Sequence, residues 1–378
     1  MNDRARRSVG RRAFLGGAAV GVWGVGRSLF AAPGTGEIEL DAQAPRRTLM
    51  EGRSAVRVTL PANAFVTLAV LGPRDALLGF DAVGCAAAEI ARRSAPAEED
   101  GMLPHVVGFA PRPAAETMLV SIEAKAPVEI AMTSATTEDA MAPSPKGLKS
   151  GEEKPRPLVV IPAPASRDDG YFLEVPARYT FARIDVAIAL LGAYKKVWQY
   201  YRQDPVAVHE ISQWNGTRPR TDAGNPRHIS HVGGVDADIA FPANDGVDST
   251  YRDHCTRAAI DREHANCAPG TVRGIDVERT AFFLGALVDA APSLVTKVFM
   301  DEAFRAEVIR VAPDLARRSF IGEAALGSLS EDGVIVASPW HTDHFHVRFG
   351  GEQGRAPLVR DEDSPVVEGG AGVGRQRE

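Results

Sequence analysis

The sequence has few cysteines, no long apolar run and no excess of positive charge. Three cysteines among 378 residues allow one disulfide at most. The uncharged run at 13–26 is too short and too rich in glycine for a good membrane span, and no other segment could cross a bilayer. The formal net charge is −6 and no basic face is evident, so nucleic acid is not an expected partner.

The N-terminus has the pattern of an export signal. It carries five arginines in its first twelve residues: Arg4, Arg6, Arg7, Arg11 and Arg12. The adjacent pair, followed by the uncharged run, resembles a twin-arginine signal, with cleavage expected near residue 31 or 32. Such a signal predicts a bacterial protein exported after folding, here to the periplasm, with no stable membrane span once the signal is removed.

Histidines are concentrated in two short stretches. The chain has nine histidines, and five lie at 227–241 and 339–349: His228, His231, His341, His344 and His346. Scattered core histidines would not cluster in this way. Gly233 and Gly234 follow the first pair and allow a tight turn with unusual backbone angles.

Both stretches contain a pattern of alternating polar and apolar residues that predicts a strand. In 235–241 this period places Asp236 and Asp238 on one face, and in 344–349 it places His344 and His346 together with Arg348. Two neighbouring strands could therefore present two imidazoles and a carboxylate to one ion. Catalytic zinc uses such ligands and keeps a position open for water, while an iron(II) facial triad uses the same set.

The two motifs carry a resemblance. Ser-His-x-x-Gly-x-Asp-x-Asp followed by Asp-His-x-His-Val-Arg resembles the penicillin-insensitive murein endopeptidases. These belong to a wider group with lysostaphin, the D-Ala-D-Ala carboxypeptidases and the hedgehog signalling domain. The resemblance covers roughly 170–350, about half the chain, and is loose outside the motifs. It implies one zinc ion held by His231, Asp238 and His346.

The resemblance also implies roles for the other histidines. His344 matches a residue placed for general acid and base work, and His341 and His228 match further active-site histidines. One of these would donate a hydrogen bond to the oxyanion, but the sequence does not divide the roles among the three. Asp236 is expected to orient a ligand or cap the turn. No His-Glu-x-x-His helix occurs, so the site is not of the thermolysin type.

The implied activity is hydrolysis of the D-alanyl–meso-diaminopimelyl cross-links of peptidoglycan. The alternatives are a D,D- or L,D-carboxypeptidase or amidase on the same scaffold, and a non-catalytic zinc-containing protein that binds the cell wall. Val232 and Val235 depart from the usual residues of the family and could change the groove. Arg218, Arg220 or Arg227 could pair with a substrate carboxylate, or be solvated loop residues. The sequence does not indicate the oligomeric state.

The predicted fold is α+β with five segments. They are a signal at 1–32, a β-rich, sandwich-like domain at 36–135, a Pro-rich linker at 136–167, a zinc metallopeptidase domain at 168–352 and a disordered tail at 353–378. The peptidase domain is expected to have a small antiparallel sheet with flanking helices, as in hedgehog and D-Ala-D-Ala peptidases. The β-rich domain either stabilises the protein or binds a substrate or partner.

Several individual elements can be predicted inside these domains. Helices are expected at 86–93, 184–202, 276–291 and 301–312, and strands at 55–60, 65–71, 118–123, 128–132, 295–300 and 333–337.

The cysteines permit two interpretations. Cys255 and Cys267 close a short loop, and an oxidising compartment favours a disulfide there, worth about 3 kcal/mol by loop entropy. Alternatively, these two with His254 and His264 could form a four-ligand structural zinc site. Cys85 is left over and is most simply a small buried apolar residue.

Overall fold

The structure is a mixture of α-helices and β-sheets within one compact unit, Thr35–Glu378. The computed structural model describes residues 38–73, 77–83, 89–94, 102–140, 158–164, 166–202, 204–219, 230–243, 249–256, 267–269, 271–272, 274–339 and 341–350. Several small sheets and few helices agree with the predicted α+β class. The predicted signal, the predicted tail, His228 and Cys85 lie outside the described residues.

The described residues between 38 and 136 are mostly in β-strands. These strands are β1 (Ile38–Leu40), β2 (Arg46–Leu49), β3 (Gly52–Leu60), β4 (Ala64–Pro73), β5 (Leu77–Val83), β6 (Glu89–Ser94), β7 (Met102–Phe109), β8 (Glu116–Ala124) and β9 (Val128–Thr136). They form a four-stranded sheet, β1-β3-β8-β5, and a five-stranded sheet, β2-β9-β4-β7-β6. Alternate residues of both sheets, among them Val56, Leu68 and Val120, enter one hydrophobic cluster. The two sheets therefore pack face to face around this cluster.

One predicted helix in this region is wrong. Residues 86–93 were expected to be helical, but β6 spans Glu89–Ser94 and pairs antiparallel with β7. Local propensity is a weak determinant of structure, and hydrogen bonding to a neighbouring strand overrides it here.

The second part of the chain combines strands and helices. Its strands are β10 (Leu158–Val160), β11 (Tyr171–Leu173), β12 (Phe181–Arg183), β13 (Val206–Val208), β14 (Asp236–Ala240), β15 (Val295–Met300), β16 (Ile335–Ala337) and β17 (His344–Phe349). The helices are α1 (Thr137–Ala140), α2 (Ile184–Tyr201), α3 (Val277–Ala290), α4 (Glu302–Arg317) and α5 (Glu323–Ser328).

Six of these strands form a sheet in the order β11-β13-β14-β17-β15-β16. The central strands β14, β17 and β15 are antiparallel, but β11 pairs with β13, and β15 with β16, in parallel. The sheet is therefore mixed, and not purely antiparallel as predicted.

The end of the predicted linker is part of the packed structure. β10 lies within 136–167, yet it pairs with β12 and its three residues are buried. Leu158 and Val160 pack with Phe65, Phe181 and Trp214. The proline-rich composition did not reveal this strand, because the strand is only three residues long.

Helices α2, α3, α4 and α5 share a core with one face of the six-stranded sheet. Alternate residues of β17, Phe345 and Val347, enter the main core, and Phe345 lies 5.8 Å from Phe283 of α3 between ring centroids. α3 begins after Asp276, whose side chain accepts a hydrogen bond from the backbone of Arg279. The alternate residues of β14 and β17, on the other face of the sheet, belong to the candidate site. No helix among the described residues is long and apolar enough to cross a membrane.

Candidate metal centre

The turn before β14 brings His231 to the sheet. His231, Gly233 and Gly234 all have left-handed backbone angles, with φ of 68°, 74° and 70°. Only His231 has a Cβ there, so its conformation is strained and must be held by other contacts. Its backbone N–H donates to Oδ2 of Asp236 at 3.1 Å, and its ring Nδ1 lies 3.0 Å from the carbonyl oxygen of Ile211. These two hydrogen bonds fix the direction of the imidazole.

Three buried side chains converge on one point. Oδ1 of Asp238 lies 3.2 Å from Nε2 of His231 and 3.2 Å from Nδ1 of His346. Asp238 and His346 are directly opposite each other on β14 and β17, as the alternating pattern predicts for neighbouring strands. One donor atom from each residue lies within 4.8 Å of the other two. The group could hold a metal ion.

The hydrogen bonds around these residues fit a bound cation. Nδ1 of His231 is engaged by the Ile211 carbonyl, which leaves Nε2 as the lone-pair nitrogen towards Asp238. Nε2 of His346 lies 2.8 Å from Oδ1 of Asp236, which leaves Nδ1 towards the same point. Metal-binding histidines almost always use the second ring nitrogen in this way. Asp236 therefore lies where a residue that orients a ligand is expected.

Without a metal ion, charge in this cluster is balanced by protons. Burial raises the pKa of Asp238, but the His231 and His344 imidazoles hold it well below its ordinary value. Burial alone lowers the pKa of His346, but hydrogen bonds and charges from Asp236 and Asp238 raise it to about 9. A proton on His346 thus occupies the position that a cation would take.

We expect the affinity for a divalent ion to depend on pH because of that proton. Binding must displace it, so the apparent affinity should fall about tenfold per pH unit as the pH decreases below 9. Competition with a chromophoric chelator at pH 6, 7 and 8 measures the slope. In Asp236→Asn the pKa of His346 should be lower and the slope should begin at a lower pH. An affinity that is flat from pH 6 to 8 contradicts the prediction.

A carboxylate–imidazole pair stands beside the cluster. Nδ1 of His344 lies 2.6 Å from Oδ1 of Asp343, and Nε2 lies 3.6 Å from Oδ1 of Asp238. If Asp343 accepts the Nδ1 proton, the lone pair of Nε2 faces the cluster. Burial raises the pKa of Asp343, but the hydrogen bond from His344 lowers it overall, so this carboxylate is charged at neutral pH.

His341 lies next to this pair. Its ring centroid is 4.8 Å from that of His344 and 6.1 Å from that of Phe299. Burial and the neighbouring His344 and His346 lower the pKa of His341 to about 4, so it is neutral at pH 7. A neutral imidazole can donate one hydrogen bond without bringing a second positive charge to the site.

A segment after β14 holds these histidines in place. The ring of Tyr251 stacks on His344 at 4.5 Å and on His209 at 4.3 Å between centroids. Thr342 forms two hydrogen bonds with the same segment. Its carbonyl oxygen accepts from the backbone N–H of His254, and its hydroxyl donates to Asp253. The segment therefore limits the motion of the loop that carries His341 and His344.

The predicted disulfide closes this segment. Cys255 and Cys267 are bonded, with their Cα atoms 5.4 Å apart. The alternative four-ligand zinc site would need both of these sulfurs as thiolates. The ring of His254 is engaged by the carbonyl of Gly274, and His264 lies outside the described residues. The disulfide interpretation is therefore the one that the described residues support.

Some residues that the sequence named are not tested by the described part of the chain. His228, Arg220 and Arg227 lie outside the described residues. Arg218 lies in the loop before them, where its carbonyl accepts a hydrogen bond from Gln213. Three contributors were missed, namely the Ile211 carbonyl, Tyr251 and Phe299. A backbone carbonyl and isolated aromatic residues give no pattern in the sequence, so nothing there could have identified them.

The turn also depends on Gly234. A Cβ at this position would lie 2.6 Å from the backbone nitrogen of Arg183 and 2.8 Å from the carbonyl carbon of Ala182. Gly234→Ala should therefore lower the free energy of unfolding by about 2 to 4 kcal/mol, measured by urea denaturation. Gly52→Ala is the matched control, because Gly52 also has a positive φ but open space around it. Equal effects at the two positions would show that close approach is not the cause.

Comparisons with known proteins do not place the chain in a family. No protein-family model matches it, and no curated protein is similar enough to count as a match.

Proposed function

We propose that the protein is an exported zinc-dependent endopeptidase that hydrolyses D-alanyl–meso-diaminopimelyl cross-links in peptidoglycan. The observation that carries the proposal is the buried group of His231, Asp238 and His346 beside the Asp343–His344 pair. The resemblance of the two motifs to penicillin-insensitive murein endopeptidases supplies the substrate. The Arg-Arg pair near the N-terminus supports export by the twin-arginine pathway to the periplasm, where that substrate lies.

Zinc is the ion that this donor set favours in the proposal. Two imidazoles and one carboxylate are a known catalytic zinc set, with a position left for water or substrate. Such an ion, when bound, activates water and polarises the scissile carbonyl group. Elemental analysis of protein purified without added metal would distinguish zinc from iron(II), which accepts the same ligands.

His344 would transfer the protons in this mechanism. Its Nε2 faces Asp238, so it can take a proton from attacking water and later give it to the leaving amine. Asp343 holds the ring and stabilises the imidazolium that forms in between. Asp343 thus has the same role towards His344 as the aspartate of a catalytic triad has towards its histidine.

His341 would donate a hydrogen bond to the developing oxyanion. Its ring lies 4.8 Å from that of His344 between centroids, and it is neutral at pH 7. Among the described residues, no group accepts or donates at its buried Nδ1. The oxyanion would accept its hydrogen bond from the ring nitrogen of His341 that carries the proton.

Digestion of purified, cross-linked murein tests the proposal. The protein should convert cross-linked dimers to monomers, as read by mass spectrometry, and a chelator should stop the reaction until zinc is restored. Release of terminal D-alanine with intact dimers would instead indicate a carboxypeptidase on the same scaffold. Retention of the protein on murein without any new product would indicate a non-catalytic zinc protein that binds the cell wall.

A further inference from the structure

The face of the sheet that carries the metal ligands continues beyond them. On β17, Arg348 follows His344 and His346 at the same alternation, and Asp236 is its direct partner on β14. On the other side, β15 places Phe299 opposite His346 and Lys297 opposite Arg348. Directly opposed residues of antiparallel strands point to the same face. Arg348 and Lys297 therefore lie next to each other at one end of the candidate site.

Arg348 is linked to the metal ligands through one oxygen atom. Oδ1 of Asp236 is 2.8 Å from Nε of Arg348 and 2.8 Å from Nε2 of His346. The guanidinium also lies over the ring of Phe299, 5.5 Å from its centroid. These contacts fix the plane of the guanidinium close to the metal group, while its side chain remains 38% exposed.

The two cations keep donors available. Among the described residues, Arg348 makes its ion pair through Nε alone, which leaves the two terminal nitrogens for another acceptor. Lys297 is exposed, and no acidic residue of the described ranges forms an ion pair with it. A planar guanidinium with two free nitrogens matches the two oxygens of a carboxylate, and a neighbouring ammonium strengthens such a site.

The charges on this face also favour an anion. Asp236 is shared between Arg348 and His346, so it offsets the charge of Arg348 only in part, and Lys297 has no ion pair with the described residues. A substrate with a carboxylate near its scissile bond would supply the missing negative charge. In a D-alanyl–meso-diaminopimelyl link, the carbon that bears the amide nitrogen also bears a carboxylate.

We propose that Arg348 and Lys297 form a subsite for a substrate carboxylate next to the bond that is cut at the metal centre. The inference rests on the proposed function and adds its specificity determinant. The substrate class is a peptide whose leaving amine carries an adjacent free carboxylate. Amidation of that carboxylate removes the charge that the subsite recognises.

Two synthetic peptides test the subsite on the full-length, zinc-loaded protein. Both contain the D-alanyl–diaminopimelyl amide, and they differ only in a carboxylate or a carboxamide on the carbon that bears the amide nitrogen. We expect kcat/KM to be about 10- to 100-fold higher for the carboxylate, the range for charged hydrogen bonds. Arg348→Gln and Lys297→Gln should each reduce this preference, chiefly by raising KM for the carboxylate peptide.

Metal content and a matched variant separate this role from a structural one. Arg348 contacts Asp236, so its variant is compared only after zinc content is shown to be normal. Lys297→Gln carries the decisive result, because no described contact joins Lys297 to a metal ligand. Lys125→Gln removes an equal charge from an exposed turn of the sandwich and should leave the preference unchanged.

The outcomes distinguish the two proposals. If the protein cuts murein and also cuts the two peptides equally well, the proposed subsite is wrong, but the proposed endopeptidase activity is retained. If neither peptide nor murein is cut by the zinc-loaded protein, the proposed function fails and the subsite fails with it. A carboxylate preference that survives both substitutions also overturns the assignment to these residues.

Discussion

Alanine at any of the three ligand positions, His231, Asp238 or His346, should leave the protein unable to retain a metal ion. In the proposed site each residue contributes one of three donors found among the described residues, and Oδ1 of Asp238 lies 3.2 Å from Nε2 of His231 and 3.2 Å from Nδ1 of His346. Loss of a hydrogen-bond partner behind a ligand typically weakens metal binding by about 10- to 100-fold. Loss of the ligand itself should exceed that range, and activity on murein should disappear with the metal.

Metal content after dialysis, measured by elemental analysis, and chelator competition check this result. His105→Ala is a suitable control, because His105 lies on β7 of the sandwich and is half-buried. Asp236→Asn should give an intermediate loss, since Asp236 holds one ligand ring and the backbone of another ligand. A variant that keeps both full zinc content and full activity would disprove the assignment of that residue as a ligand.

Folding must be shown to survive in these variants. The three ligands are buried, and removing Asp238 leaves two imidazoles facing each other without the carboxylate between them. Circular dichroism of each variant should match that of wild-type protein treated with chelator. If a variant is unfolded while the chelated protein is folded, its loss of metal reports on stability and not on coordination.

The proximity of Asp238 and His346 was predictable because side chains alternate between the two faces of a strand. Alternation placed Asp236 with Asp238 and His344 with His346, and pairing of β14 with β17 put Asp238 opposite His346. The register itself was not predictable, since it is fixed by the hydrophobic face of each strand and by contacts distant in sequence. The orienting carbonyl of Ile211 could not be foreseen for the same reason.

Helix boundaries were also predictable only in part. α2 and α3 agree with the predicted 184–202 and 276–291, because their apolar periodicity and the Asp276 cap are local signals. α4 was expected to stop at 312, before Pro313, but it continues to Arg317. Its buried face extends past the proline to Leu315, so packing outweighs the hydrogen bond that proline removes.

The sandwich was predicted less completely. Four of its strands, β3, β4, β8 and β9, contain β-prone runs that the sequence indicated, whereas β1, β2, β5, β6 and β7 were not recognised as strands. Strand formation there depends on neighbouring strands, and a single sequence does not indicate which segments pair. Ala69 and Val106 belong to the same core as the buried residues of α2, and a single sequence does not indicate this contact between distant segments either.

Replacement of His344 should separate catalysis from metal binding. In His344→Ala the three ligands and Asp236 are untouched, so zinc content should remain close to wild type. The proton acceptor whose Nε2 faces Asp238 is lost, and general acid–base catalysis typically contributes about 10²- to 10⁴-fold to the rate. The kcat for cross-link hydrolysis should therefore fall by about that factor, with little change in KM.

The comparison with Asp343→Asn makes this result specific to proton transfer. Asparagine can still accept a hydrogen bond from Nδ1 of His344, but it lacks the charge that stabilises the imidazolium, so kcat should fall less than in His344→Ala. Tyr251→Phe keeps the ring that stacks on His344 and should retain most activity. Unchanged murein turnover in zinc-loaded His344→Ala would remove His344 from the mechanism. A similar loss in Tyr251→Phe would mean that the tyrosine hydroxyl, and not only the stacking, acts in catalysis.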